Sequence, residues 1–237
     1  MFEPNEKMRP KIIENIKGRT VVIIDDFYKN PDEIRERALS LEHTDSTEAV
    51  GGFPGVRGFA ETSEVRLELY DVYFHLCNKY FGLPDADKFS NNWDNQGFMV
   101  NILNDSTLKK NPLGIIPHQD YWESAPKGSP VSLLQYGSVV YLNTPDECAG
   151  GTNLYSHFGR MSIPDEWQPQ WLLETEHLPS FEYIKSKVDG GKPYTCEFET
   201  EMVYNRMVLY QADVLHGQNV DLGMFTDYNR INQVLFM

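Results

Sequence analysis

The feature that most limits the fold lies after residue 95, where the chain breaks into short apolar or alternating runs separated by turn residues. These runs fall at 97–103 (GFMVNIL), 137–142 (GSVVYL), 152–156 (TNLYS), 194–204 (YTCEFETEMVY), 206–210 (RMVLY) and 229–236 (NRINQVLF). Most are too short for ordinary helices and are bounded by turn residues, so they read as strands. Within 194–204, Thr195, Glu197, Glu199 and Glu201 alternate with Cys196, Phe198 and Thr200, as in a strand with one solvated face. So many short strands must bury their apolar faces by closing a barrel or by stacking sheet on sheet.

The first ninety-five residues have a different texture. Residues 20–25 (TVVIID) read as one more buried strand. Asn30-Pro31-Asp32-Glu33 combines an N-cap residue, a proline at the first helical position and acids in the first turn. It opens a helix that presents Ile34, Ala38 and Leu41 on one side. A second helix begins at Thr62 or Ser63, carries Val65, Leu69, Val72, Tyr73, Leu76 and Tyr80 at helical spacing, and stops at Gly82. Residues 1–10 read as a loose tail and 49–60 as a glycine-rich loop. The expected fold is α+β and mainly β, a single domain over 1–237. Residues 1–95 would supply a strand and helices packing on a double-stranded β-helix (jelly-roll) barrel at 96–237, with a helical insert near 163–190.

Charge narrows the function. The chain carries 21 Lys and Arg against 35 Asp and Glu, a net −14. Affinity for phosphate backbones comes from clustered basic side chains displacing counterions, so no nucleic-acid partner is expected. No apolar run reaches the roughly 20 residues of a membrane span. The opening MFEPNEKMRPK lacks the apolar stretch of a secretory signal, which makes the expected location cytoplasmic. Cys77, Cys148 and Cys196 are odd in number and widely spaced, so they are expected to be buried reduced thiols and not a disulfide or zinc framework.

Chemistry concentrates in Pro117-His118-Gln119-Asp120. On an extended segment, side chains two apart share a face, so His118 and Asp120 can bind one metal together. His216, where the apolar run RMVLYQADVL ends, supplies a third ligand from a distant part of the chain. Two imidazoles and one carboxylate with open positions suit non-haem Fe(II). Fourteen residues later Arg230 opens the last, otherwise apolar strand. A guanidinium there implies an anion, since an unmatched buried charge is costly, and its planar fork suits a carboxylate. A dicarboxylic cosubstrate answers both the metal and the arginine. Asn101 and Tyr141 lie on barrel strands with polar tips among apolar neighbours and are candidate cosubstrate contacts. Tyr121 and Trp122 open a Gly- and Pro-rich run read as a lid over 121–136. With Phe98 they are candidate aromatics beside the substrate.

His118-x-Asp120, His216 and Arg230, in that order, resemble the site of the Fe(II)/2-oxoglutarate-dependent oxygenases. The hairpin from Tyr141 to Thr152 (YLNTPDECAGGT) resembles the central hairpin of their prolyl-4-hydroxylase-like branch, and VVIIDDFYKNPDEIRERAL resembles its opening strand and helix. Arg230 stands where prolyl hydroxylases usually carry lysine. The retained Asp120 separates the chain from halogenating relatives. The resemblance implies a dioxygenase that hydroxylates an unactivated C–H bond of a small molecule, amino acid or peptide side chain. Fe(II) would sit on His118, Asp120 and His216, 2-oxoglutarate and O2 would be consumed, and succinate and CO2 formed. Two competing readings are a cupin-like metalloenzyme that does not use 2-oxoglutarate and a non-catalytic jelly-roll module that has kept its metal site.

Overall fold

A computed structural model describes residues 1–45, 55–60, 63–82, 98–120, 135–163, 178–190 and 192–236. In chain order its elements are β1 (Arg9–Ile16), β2 (Arg19–Asp25), α1 (Pro31–Leu39), β3 (His43–Asp45), β4 (Val56–Ala60), α2 (Ser63–Phe81), β5 (Phe98–Leu103) and α3 (Asp105–Lys110). There follow β6 (Tyr136–Tyr141), β7 (Gly151–His157), α4 (Phe181–Asp189), β8 (Tyr194–Glu201), β9 (Met207–Gln211), β10 (His216–Asn219) and β11 (Arg230–Phe236). The chain is mainly β. One sheet has the order β1-β2-β9-β6-β11-β5-β4-β3 and the other β10-β7-β8; neither closes on itself among the described residues. Every pairing between these strands is antiparallel.

The large sheet separates two cores by side-chain alternation. In β11, Ile231 and Leu235 join Val100, Ile102, Val140 and Leu209 against Ile34 and Ala38 of α1 and Leu69, Tyr73 and Leu76 of α2. Val234 turns to the opposite face, with Val139, Tyr141, Val208 and Tyr210, toward Leu154, Val214 and Leu215 of the small-sheet side. Arg230 and Asn232 share Val234's parity and are themselves buried. Both faces of the sheet thus pack apolar cores, and the face toward the small sheet also carries Arg230 and Asn232 inward. Gln233, on the helix side, accepts from the Tyr28 hydroxyl at 2.7 Å, while its Nε2 has no partner among the described residues.

Local chemistry explains the element ends. α1 starts with Pro31 at its first turn and Asp32 and Glu33 beside it, but the Asn30 side chain makes no cap hydrogen bond. Gly82 terminates α2 at φ +66°. α3 opens on a reciprocal capping box between Asn104 and Thr107. In the hairpin before β7, Glu147 accepts two bonds at 2.9 Å from the Arg35 guanidinium of α1. Gly150 there has φ +64°, and an added Cβ would lie 2.0 Å from the Asn219 carbonyl oxygen. Only glycine lets β7 enter between its neighbours at that point.

Several sequence expectations are corrected. The first ten residues are not a loose tail: Phe2 is buried, its ring 5.0 Å from that of Phe98, Pro4 bridges Tyr28, and Arg9 begins β1. The end of the expected glycine-rich loop is β4, paired with β5. Phe98 faces the helix-side core and not the polar face. His157, expected at the surface, is the buried last residue of β7. Of the three thiols only Cys77 is buried; Cys148 is half-buried and Cys196 exposed. The expected lid residues Tyr121 and Trp122, and residues 164–177 of the expected insert near 163–190, lie outside the described residues, while α4 supplies helix at its end. No described helix is long and apolar enough to cross a membrane.

Since Phe2 is a buried aromatic in the helix-side core, Phe2→Ala is expected to cost about 3 kcal/mol, in the range for large-to-small core changes. Urea unfolding would measure it, and a midpoint unchanged from wild type would mean that the first residues are not part of the core.

Candidate metal centre

Backbone pairing brings the three proposed ligands together. The segment carrying His118 lies against β10: His118 N–H donates to the His216 carbonyl at 2.9 Å, and His216 N–H donates to that of His118 at 2.8 Å. Asp120 N–H donates to the Ala212 carbonyl at 2.8 Å. The Gln119 side chain, between the ligands, points away and accepts from Ile163 N–H at 3.1 Å. His118, Asp120 and His216 consequently offer ligand atoms that all lie within 4.8 Å of one another. The imidazole rings are 4.5 Å apart. His216 is buried, Asp120 half-buried and His118 exposed, so the cluster opens on one side.

The hydrogen bonds fix what these groups present. His216 Nδ1 lies 2.9 Å from the Val214 carbonyl and His118 Nδ1 lies 3.1 Å from that of Ile116. A carbonyl only accepts, so each Nδ1 carries the proton and each Nε2 presents a lone pair to the cluster. Burial holds His216 neutral, pushing its pKa down to about 4, an effect that the Asp120 charge opposes and the neighbouring His118 adds to. Asp120 Oδ2 is buried, lacks a hydrogen-bond donor among the described residues, and sits 3.4 Å from His216 Nε2. Two acceptors at that distance with no proton between them repel. A cation between them reverses the sign, and metal–ligand bonds of about 2.1 Å place adjacent donors about 3 Å apart. The donor set therefore fits a divalent metal on open-sided N2O coordination.

Gly137 makes room for the carboxylate. A Cβ there would lie 2.7 Å from Asp120 Oδ2 and 3.0 Å from the Tyr210 ring. The Tyr210 ring in turn packs against that of His216, centroids 4.5 Å apart and tilted by 41°, and burial with the nearby Asp120 charge raises its hydroxyl well above the usual phenol range.

Arg230 opens β11 on the same face of the large sheet as Tyr210. It is 2 % exposed. Its guanidinium donates to Asn232 Oδ1 at 2.5 Å, Gln218 Oε1 at 3.1 Å and the Gly151 carbonyl at 3.3 Å, and sits 5.7 Å from the centre of the Tyr141 ring. Its Nε is buried with no acceptor, and among the described residues no carboxylate pairs with it. Asp221, a conceivable structural partner, is taken by Lys185 at 3.1 Å. Tyr141 donates its hydroxyl to Thr152 Oγ1 at 2.7 Å, bridging the two sheets. Asn101 uses Oδ1 to accept from Arg57 Nε at 2.8 Å. Asn101 thus lies on the same inward face but is engaged with a residue the sequence reading passed over. Asn232 and Gln218 were passed over too; Asn232 follows Arg230 by two, and strand periodicity alone places it beside the guanidinium.

A family model described as a family of unknown function, DUF6445, matches residues 6–227. The chain belongs to that family. No curated protein matches the sequence. The DUF6445 match spans β1 through β10 and with them all three clustered ligands, but stops short of Arg230.

Two expected outcomes follow from the geometry. His118→Ala and Asp120→Ala are each expected to abolish stoichiometric binding of Mn(II) or Fe(II), as read by calorimetry, because each removes one of three protein ligands. Gly137→Ala is expected to weaken Mn(II) binding at least about tenfold by displacing the Asp120 carboxylate, while the thermal midpoint of the metal-free protein falls by only a few degrees. Unchanged affinity in that variant would remove Asp120 Oδ2 from the ligand set.

Proposed function

We propose that this DUF6445 protein is a non-haem Fe(II)- and 2-oxoglutarate-dependent dioxygenase that hydroxylates an unactivated C–H bond. The observation that carries the reading is the pairing of two incomplete sites. Three acceptors converge with no donor between them, and one buried guanidinium meets no carboxylate among the described residues. A 2-oxo dicarboxylic acid is a cosubstrate whose two ends match them, one chelating the metal and the other accepting from Arg230. The strand order also supports a double-stranded β-helix. β5-β11-β6-β9 face a second layer in which the His118 segment, β10, β7 and β8 lie side by side.

His118, Asp120 and His216 would hold Fe(II), leaving open positions on the exposed side. Bound iron supplies the activation of dioxygen, one oxygen atom entering the substrate C–H bond and the other the succinate formed, with loss of CO2, from 2-oxoglutarate. The remaining tasks fall to the protein. Arg230, held by Asn232, Gln218 and the Gly151 carbonyl, presents an oriented fork for the distal carboxylate. Tyr210, packed on His216, and Tyr141, packed on the Arg230 guanidinium, would bring buried aromatic rings to the two ends of the cosubstrate and help exclude water there.

Arg230→Gln is expected to raise the half-saturating 2-oxoglutarate concentration at least about tenfold, since charge-assisted bonds are worth roughly 1.5–3 kcal/mol and 1.4 kcal/mol is one decade. Metal binding is expected to survive. The decisive measurement is anaerobic calorimetry of 2-oxoglutarate on the wild-type protein with Fe(II) or Mn(II), followed by succinate formation in air. Metal binding without 2-oxoglutarate binding would overturn the oxygenase reading in favour of a cupin-like metalloenzyme.

A further inference from the structure

The ladder between β11 and β6 stops just before Arg230. It runs from Phe236 opposite Gly137 to Asn232 opposite Tyr141, and Leu142 N–H still donates to the Ile231 carbonyl at 3.0 Å. Continued by one step, that register sets Asn143 opposite Arg230, and there a side chain takes over from the main chain. Asn143 Oδ1 accepts from Ile231 N–H at 2.7 Å, and Asn143 Nδ2 donates to the Asn229 carbonyl at 2.7 Å. A side-chain amide carries the same acceptor and donor as a peptide unit, so it can continue a ladder where the backbone has left it. Asn143 is fully buried, and its two bonds bracket Arg230 on both sides.

The path of the chain explains why a side chain is used. Past Leu142 the backbone must leave the large sheet and return as β7 in the small one. Thr144 N–H donates to Glu147 Oε2 at 3.1 Å, and the Cys148 thiol lies 3.5 Å from the Asn143 carbonyl, so the main chain that carries the amide is itself held. The same hairpin then brings the Gly151 carbonyl to the Arg230 guanidinium at 3.3 Å. One hairpin thus holds Arg230 twice, by its backbone through Asn143 and by its fork through Gly151. The metal ligands are fixed on other segments, His118 on His216 and Asp120 on Ala212, so a change at Asn143 reaches the site through Arg230. A long side chain magnifies a small shift at its Cα, and two-point binding of a carboxylate tolerates little displacement.

We infer that Asn143 is the positioning residue of the cosubstrate anchor: its amide fixes the main chain around Arg230, and with it the place where the guanidinium meets the distal carboxylate. The inference rests on the oxygenase reading and adds to it a residue that acts only through Arg230.

The test is a double-mutant cycle on the full chain loaded with Mn(II) under anaerobic conditions, with 2-oxoglutarate binding read by calorimetry. Asn143→Ala is expected to weaken 2-oxoglutarate at least about fivefold when Arg230 is present and less than about twofold in the Arg230→Gln background, because groups that act through one another are not additive. Mn(II) affinity is expected to stay within about twofold of wild type throughout, which also shows that each variant is folded. A purely structural clip would give the same factor in both backgrounds, and that result, or no loss in either, would sink the inference. So would an Arg230→Gln variant that binds 2-oxoglutarate as tightly as wild type. Should Asn143→Ala take up no Mn(II), Asn143→Asp carries the same cycle, since it keeps the acceptor for Ile231 and loses only the donor to Asn229. Loss of Mn(II) binding in both variants would also sink the inference, because Asn143 would then act on the whole fold. Failure of the wild-type protein to bind 2-oxoglutarate is a different result; it removes the oxygenase reading and this inference with it.

Discussion

Lone pairs aimed at one another in a partly dry cleft need a positive charge between them, and this requirement organises the polar half of the molecule. The Val214 and Ile116 carbonyls take the protons of the two imidazoles and so turn both Nε2 atoms inward. Gly137 withholds a side chain where the Asp120 carboxylate must lie. Each of these features would be a defect without a cation: an acceptor beside an acceptor, and a carboxylate oxygen with no donor. Together they describe one binding site from three directions, in which the protein has given up local satisfaction for affinity toward something it does not itself contain.

The large sheet makes that trade affordable by dividing labour between its faces. Helices α1 and α2 cover one face with apolar side chains, around a buried Gln233 that accepts from the Tyr28 hydroxyl. The opposite face can then carry Arg230, Asn232, Asn101 and Arg57 without emptying the protein of hydrophobic stabilisation. Most of these polar groups are hydrogen-bonded to each other, which limits the cost of burying them. The Arg230 Nε is an exception, a buried donor with no partner among the described residues.

How much of this was legible in the sequence depended on whether an element carries its own pattern. The ligand triad was readable because period two places His118 and Asp120 on one face whatever surrounds them, and β5, β7, β9 and β11 are apolar enough to announce themselves. β10 (HGQN) is not: it has no apolar run, and it is a strand because β7 offers it a ladder. β4 was hidden for a similar reason, since VRGFA follows a glycine-rich stretch and owes its conformation to β5, so the position of Arg57 was lost with it. The opening residues were misread because one buried Phe2 among charged neighbours has no periodicity at all. Phe98 shows the converse error: its strand was recognised, but which face it occupies follows from the register with β11, which no single segment encodes.

One contact has a consequence for how such a protein can change over time. The reciprocal bonds between His118 and His216 run through the main chain and ask nothing of either imidazole. The scaffold that sets the distance between the two ligands is therefore inherited independently of the ligands themselves. A lineage can exchange one of these side chains for another, or lose the cluster altogether, while the main-chain bonds that space the two positions remain.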